Sequence, residues 1–316
     1  MKKLWLIPFC LLAFSGIALA EETNEIITPA QDTKDTASPS VTNAMSEDQL
    51  NDLVKKTNIY VRLLNRSARG LDSWKRYTSW ANPKKNLTGK EKNASYGLYS
   101  LYDDVIKTII PKVLNTVDED PKLPALDQSA KEYVKTLEVL HPLVAEADSY
   151  YDRQDYRDDN FVKGKELHPK LVDAFQAYMT AREKFDTELT TVKDSVDIQL
   201  LDRLEKEQGK KFAWHKKNIF MATSKTLDKL SNEKISQNEI DNLVKNYAET
   251  VHEFDAYMKT ADDKTSGSSA YASRPNTILR KLRDFRDYKK KKNQNRAIQA
   301  YNDAVREYNH MVTFGN

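Results

Sequence analysis

The stretch SEDQLNDLVKKTNIYVRLLNRSARGLDSWKRYTSWA, residues 46–81, decides the fold class. Ser46 precedes Glu47 and Asp48. A hydroxyl and two carboxylates suit a helix start, where free amides need acceptors and the helix dipole is positive. Apolar or small side chains then recur at Leu50, Leu53/Val54, Thr57, Tyr60/Val61, Leu64, Ala68, Leu71, Trp74 and Tyr77. Steps of three and four place them on one helical face, and a helix of this length spans roughly 50 Å. Such a stripe predicts packing in a bundle or antiparallel coiled coil. Trp74 continues the stripe and is expected to be buried, so that truncation to Ala costs about 3–5 kcal/mol.

Working outward, the same period recurs at about 93–116, 125–152, 158–207, 210–231 and 237–262, and in short helices that close the chain. Pro142 is expected to bend the 125–152 helix, and residues 263–275 read as a loop. Asn82-Pro83, Thr88-Gly89, Pro111, the segment 118–124 and Gly209 mark breaks. Only 8 Gly and 10 Pro occur in 316 residues, and 31% of the chain is charged, which favours long helices. Period-2 alternation is not sustained anywhere. The predicted fold is all-α: an elongated bundle of long amphipathic helices over 46–316, with short C-terminal helices.

Upstream, Met1-Lys2-Lys3 precedes an apolar run from Leu4 to Phe14, and Ala18-Leu19-Ala20 precedes Glu21. These are the three parts of a signal peptide, residues 1–20, cleaved after Ala20. The run is too short for a good membrane span. Cys10, the only cysteine, lies in the middle of that run rather than at a cleavage point, so the product is expected to carry no lipid, disulfide or thiolate. Residues 21–45 hold Thr, Ser, Pro and acids with few large apolar side chains, and read as a disordered linker. Three N-x-S/T sequons matter only in a eukaryotic secretory route. The leader and the lack of disulfides point to a bacterial periplasm, or to secretion.

Removing Lys2 and Lys3 lowers the formal charge from +3 to +1, which disfavours nucleic-acid binding. No G-x-S-x-G, phosphate loop or Rossmann fingerprint is present, and no cofactor is implied. The densest constellation runs from Tyr150 to His168. It offers Tyr151, Tyr156, Asp158, Asp159, Lys163, Lys165 and His168 as a binding site, with Asp158, Asp159 and His168 as metal or acid–base groups. Helix capping, corner packing and solvation account for the same residues without a ligand. His141 and His168 each precede a proline, and neighbouring antiparallel helices would let them approach. Residues 280–296 carry nine Lys or Arg against two Asp, suited to an envelope protein or an anionic lipid surface.

Tyr150-Tyr151, Tyr156, Asp158-Asp159, Phe161, Lys163-Gly164-Lys165 and Leu167-His168 also carry a family likeness. Thr88-Gly89, Tyr96-Gly97, Leu204-Glu205, Glu207, Gly209-Lys210, Phe212 and Arg306-Glu307-Tyr308-Asn309 extend it over about 47–312. On these residues the chain resembles the YiiG-like family of uncharacterised bacterial envelope proteins. The resemblance implies an all-helical domain and an envelope location, and no activity. Many relatives look like lipoproteins with a cysteine at the cleavage point, and this chain departs there. The reading is an exported binding or scaffolding protein without catalysis. The alternatives are a periplasmic metal-handling protein or enzyme using Asp158/Asp159/His168, and a peripheral membrane-surface protein using 280–296.

Overall fold

A computed structural model describes residues 45–232, 234–262 and 268–314. The signal peptide read at 1–20 and the linker read at 21–45 lie outside the described residues, Met45 apart. Among the described residues all regular structure is helical, and the chain divides into two compact units, Glu47–Val196 and Asp197–Asn316.

In the N-terminal unit the apolar stripe forms α1 (Glu47–Ser67) and α2 (Arg69–Thr78), interrupted at Ala68 where one helix was expected. The cause lies on α5 (Val162–Gln208). Arg182 donates to the Leu64 carbonyl at 2.7 Å, and the Tyr178 hydroxyl donates to the Ser67 carbonyl at 2.8 Å. These are the carbonyls that Ala68 and Leu71 amides would take in an unbroken helix, and those amides turn instead to Asn65 and Ala68. Side chains inserted into the backbone ladder are a recognised cause of a helix break. Gly70 fits the same approach, since a Cβ there would lie 2.9 Å from the Tyr178 ring. Trp74 is only half-buried, 5.1 Å from Phe175. Tyr77, fully buried, anchors this end of the stripe.

The helix expected at 93–116 begins only at 103. Residues 94–96 form a single 3₁₀ turn, 97–102 run without helix, and a π-helical turn at Val105–Ile109 leads into α3 (Ile110–Thr116). Gly97 has φ 55° and ψ −135°, outside helical space. Pro111 does not end the helix: it stands in the first turn of α3, directly after the π-helical turn. Helix α4 (Pro124–Asp152) contains Pro142, and α5 contains Pro169. The core joins Leu53, Tyr60, Leu64, Tyr133, Leu137, Val144, Phe175 and Phe185.

The last turns of α5 belong to the C-terminal unit, with α6 (Phe212–Leu230), α7 (Gln237–Thr260), α8 (Ser268–Lys290) and α9 (Gln294–Phe314). Gly209, at φ 75°, stops α5 as expected. A capping box starts α7: Ser236 accepts from the Glu239 amide, and Glu239 accepts from the Ser236 amide. The loop expected at 263–275 gives way to helix from Ser268, with Pro275 inside it. Tyr271, Ile278, Leu279 and Leu282 recur at helical spacing and are buried, and that burial outweighs the proline's lost hydrogen bond. The closing helices have 23 and 21 residues, longer than the short elements expected. No helix among the described residues is long and apolar enough to cross a membrane.

Candidate functional site

The corner between α4 and α5 is built on unusual backbone. Gln154, Asn160 and Phe161 take left-handed φ of 60°, 51° and 64°. A bulky residue there is strained, so surrounding structure must hold it. The Phe161 ring lies 4.8 Å from Tyr156, and its amide donates to the Tyr156 carbonyl. Gly164 lets the reversal close: a Cβ there would sit 3.2 Å from the Tyr151 hydroxyl and 3.3 Å from Tyr150 and Phe161.

Asp159 joins the two helices. One carboxylate oxygen accepts from the Tyr150 hydroxyl at 2.9 Å, the other from the Lys163 amide at 2.9 Å. Partial burial opposes its ionisation. The Lys163 amide and Tyr150 hydroxyl outweigh that and hold the carboxyl below its ordinary range. This is helix capping by a carboxylate, with both oxygens occupied.

His168 is buried at 3% exposure. Its Nε2 lies 2.9 Å from the Lys85 carbonyl, and its Nδ1 lies 2.6 Å from the Tyr77 hydroxyl. A carbonyl only accepts, so Nε2 carries the hydrogen, and Tyr77 donates to Nδ1. Both ring nitrogens are thus engaged. Tyr151 lies within an aromatic cluster, 5.0 Å from Trp80, 5.0 Å from Tyr150 and 6.3 Å from Tyr77. Burial pushes the phenols of Tyr77, Tyr150 and Tyr151 up, so they stay protonated.

The corner therefore gathers Tyr151, Tyr156, Asp159 and Lys163 around the reversal. It leaves Asp158 and Lys165 exposed, and it sets His168 inside against other partners. Lys163 pairs with Glu146 at 2.8 Å, and Lys165 runs beside Gly89. His141 faces Asp103 at 3.4 Å, whereas His168 faces Tyr77 and Lys85. No three His, Cys, Asp or Glu converge as metal ligands among the described residues.

Two features escaped the sequence reading. Glu91 accepts from the Thr88 amide and hydroxyl and from the Gly89 amide, closing the loop packed on Phe161 and Lys165. Thr88-x-x-Glu91 matches a capping-box spacing, which was the available signal. A ladder of arginine on tyrosine also ties residues 96–102 to α1 and α2. Arg66 lies 3.9 Å over Tyr102, Arg69 lies 4.0 Å over Tyr99, and Arg76 lies 4.4 Å over Tyr99. The three-residue spacing of Tyr99 and Tyr102 resembled a helix and served a ladder.

The profile of a family described as "Protein of unknown function (DUF3829)" matches residues 51–313. The chain is similar to the "Uncharacterized protein YiiG" of Escherichia coli (strain K12), 24% identical over 281 residues, covering 81% of this chain and 78% of that protein. No solved structure matches.

Proposed function

We propose that this chain, which belongs to the DUF3829 family of proteins of unknown function, is an exported protein of the bacterial envelope that binds or scaffolds without catalysis. In this reading residues 1–20 are a leader removed after Ala20, 21–45 a spacer, and 46–316 the working domain. One observation carries the non-catalytic part: Asp159 and His168, the carboxylate and imidazole best placed for acid–base work, are bonded to the protein's own chain. Asp159 caps α5, and His168 is clamped between Tyr77 and the Lys85 carbonyl. A metal or substrate at His168 would have to displace one of those two partners. The outer side of the corner, with Tyr156, Asp158, Lys163 and Lys165, is the partner contact in this proposal. Tyr151, Asp159 and His168 hold it in shape.

Fractionation of the native host, with the intact mass of the recovered protein, tests the proposal. The expected product lies in the envelope fraction, begins at Glu21 and carries no added lipid. Cytoplasmic protein that retains residues 1–20 would overturn it. Turnover that survives purification and is lost in His168→Ala would overturn the non-catalytic half.

A further inference from the structure

We infer that the tip formed by the end of α8 and the start of α9 docks on anionic phospholipid headgroups. The inference rests on the envelope location proposed above and names the surface that location brings within reach.

Charge is distributed unevenly along the chain. Residues 280–296 hold nine Lys or Arg and two Asp, a local charge of +7. The rest of residues 21–316 holds 39 Lys or Arg against 45 Asp or Glu, a charge of −6. An anionic surface therefore repels most of the protein and attracts one end, which orients the encounter.

The structure shows which of these cations are available. Lys281 pairs with Asp303 at 3.1 Å, and Arg286 with Asp287 at 2.9 Å. Arg280, Arg283, Lys290, Lys291 and Lys292 are exposed and have no carboxylate partner among the described residues. Arg296, also exposed, lies 5.7 Å over the ring of Tyr288. Lys290, Lys291 and Lys292 thus stand unpaired at the helix–turn–helix tip, Arg296 lies in the first turn of α9, and Arg280 and Arg283 extend the unpaired charge back along α8.

The turn itself favours a different residue. The Lys292 amide bonds to the Lys289 carbonyl and the Asn293 amide to the Tyr288 carbonyl, the closing pattern of a helix whose next residue is left-handed. That residue is Lys292, at φ 55°, where glycine carries no steric penalty. Helix-end stabilisation by cations does not require a lysine at the left-handed position.

Chemistry selects lipid over a folded acidic partner. Protein interfaces centre on a buried apolar or aromatic anchor, and no large hydrophobic residue of 280–296 is exposed. The exposed ammonium groups of Lys290, Lys291 and Lys292, each a point charge with rotatable donors on a flexible stem, suit a fluid plane of phosphates. With no membrane-crossing helix among the described residues, contact through this tip is peripheral and electrostatic.

Sedimentation with phosphatidylcholine vesicles, with and without phosphatidylglycerol, tests this on the protein as the cell makes it. Binding is expected only with phosphatidylglycerol and is expected to weaken as salt rises. The variant Lys290→Gln/Lys291→Gln/Lys292→Gly should bind at least about tenfold more weakly, since each cation near such a surface contributes about fivefold. Its helical signal and melting temperature should not fall, because glycine suits position 292. A control with the same loss of charge, Lys55→Gln/Lys107→Gln/Lys206→Gln, should bind as the parent does. Failure of the parent to bind at low salt, or equal loss in both variants, overturns the inference. So does tip-dependent capture of an envelope protein with vesicle binding unchanged, which would assign the tip to a protein partner. Fractionation reads the location independently, so a cytoplasmic result and a vesicle failure are separate outcomes.

Discussion

The two units solve the same packing problem with different interiors. The C-terminal unit, Asp197–Asn316, is mostly apolar inside: Ile219, Leu227, Val244, Phe254, Ile278, Leu282, Ala304 and Met311 pack in one cluster. Its buried polar links include Thr223 to Tyr247 at 3.0 Å, Tyr301 to the Leu227 carbonyl at 3.1 Å and Lys217 to Asp197 at 2.5 Å. The N-terminal unit, Glu47–Val196, threads polar groups through its core. Lys56 Nζ reaches Asp127 at 3.0 Å and the Glu119 carbonyl at 2.9 Å, while Tyr60 donates to the other Asp127 oxygen at 2.5 Å. Ser67, Tyr133, Tyr178 and Arg182 form a second network, and Tyr77 with His168 a third. An apolar core tolerates any arrangement that fills its volume. Buried polar groups demand particular partners, and here they also dictate where helices break.

The largest expected effect strikes the polar interior. Asp127→Ala strands the Lys56 ammonium in the core and should cost about 3–5 kcal/mol in urea denaturation, because an uncompensated buried charge remains. Adding Lys56→Met should recover part of that loss. If the single and double variants unfold alike, the polar network does not govern this unit.

In the apolar interior, Leu282→Ala should cost about 2–5 kcal/mol, the range for removing a fully buried leucine. No second substitution at a polar partner should rescue it. A rescue of that kind would erase the contrast between the units.

Gly70→Ala probes the α1–α2 break. Its new methyl group meets the Tyr178 ring, and overpacking of this kind costs about 1–3 kcal/mol. Tyr178→Phe in the Gly70→Ala background tests whether the hydroxyl contact with Ser67 fixes the ring. A Gly70→Ala protein as stable as the parent would show that Tyr178 moves freely.

The smallest effect concerns the corner. Asp159→Ala should cost about 0.5–2 kcal/mol at neutral pH, the usual range for a lost cap. The carboxyl is held below its ordinary value of 3.8, so its contribution is present above that value and fades as pH falls through the folded value. The gap between parent and variant should therefore shrink in acid. A gap that stays constant down to low pH would mean that Asp159 acts through packing rather than charge.

Periodicity located most helices because local steps of three and four already encode a buried face. It did so well for α6 and α7, whose buried faces meet an apolar core. It failed where long-range polar contacts overrode the pattern. The stripe through Leu64, Ala68 and Leu71 is continuous in sequence, yet Arg182 and Tyr178 take its carbonyls across separations of 118 and 111 residues. Tyr99 and Tyr102 continue the helical spacing of Tyr96, yet they stack on Arg66, Arg69 and Arg76 outside a helix.

The corner divides in the same way. Its residues stand together in sequence, and Asp159 at the start of α5 was legible as a cap, since capping is local. His168 was not legible, because its partners, Tyr77 and Lys85, lie 91 and 83 residues away. By itself the sequence determined helical class, helix phase and the charge of the 280–296 stretch, which follow from short-range spacing and composition. Tertiary structure alone decided the break at Ala68, the course of residues 97–102, the clamp on His168 and which cations of that stretch stay unpaired. Each depends on a directional contact between groups distant in the chain, and no local pattern records such a contact.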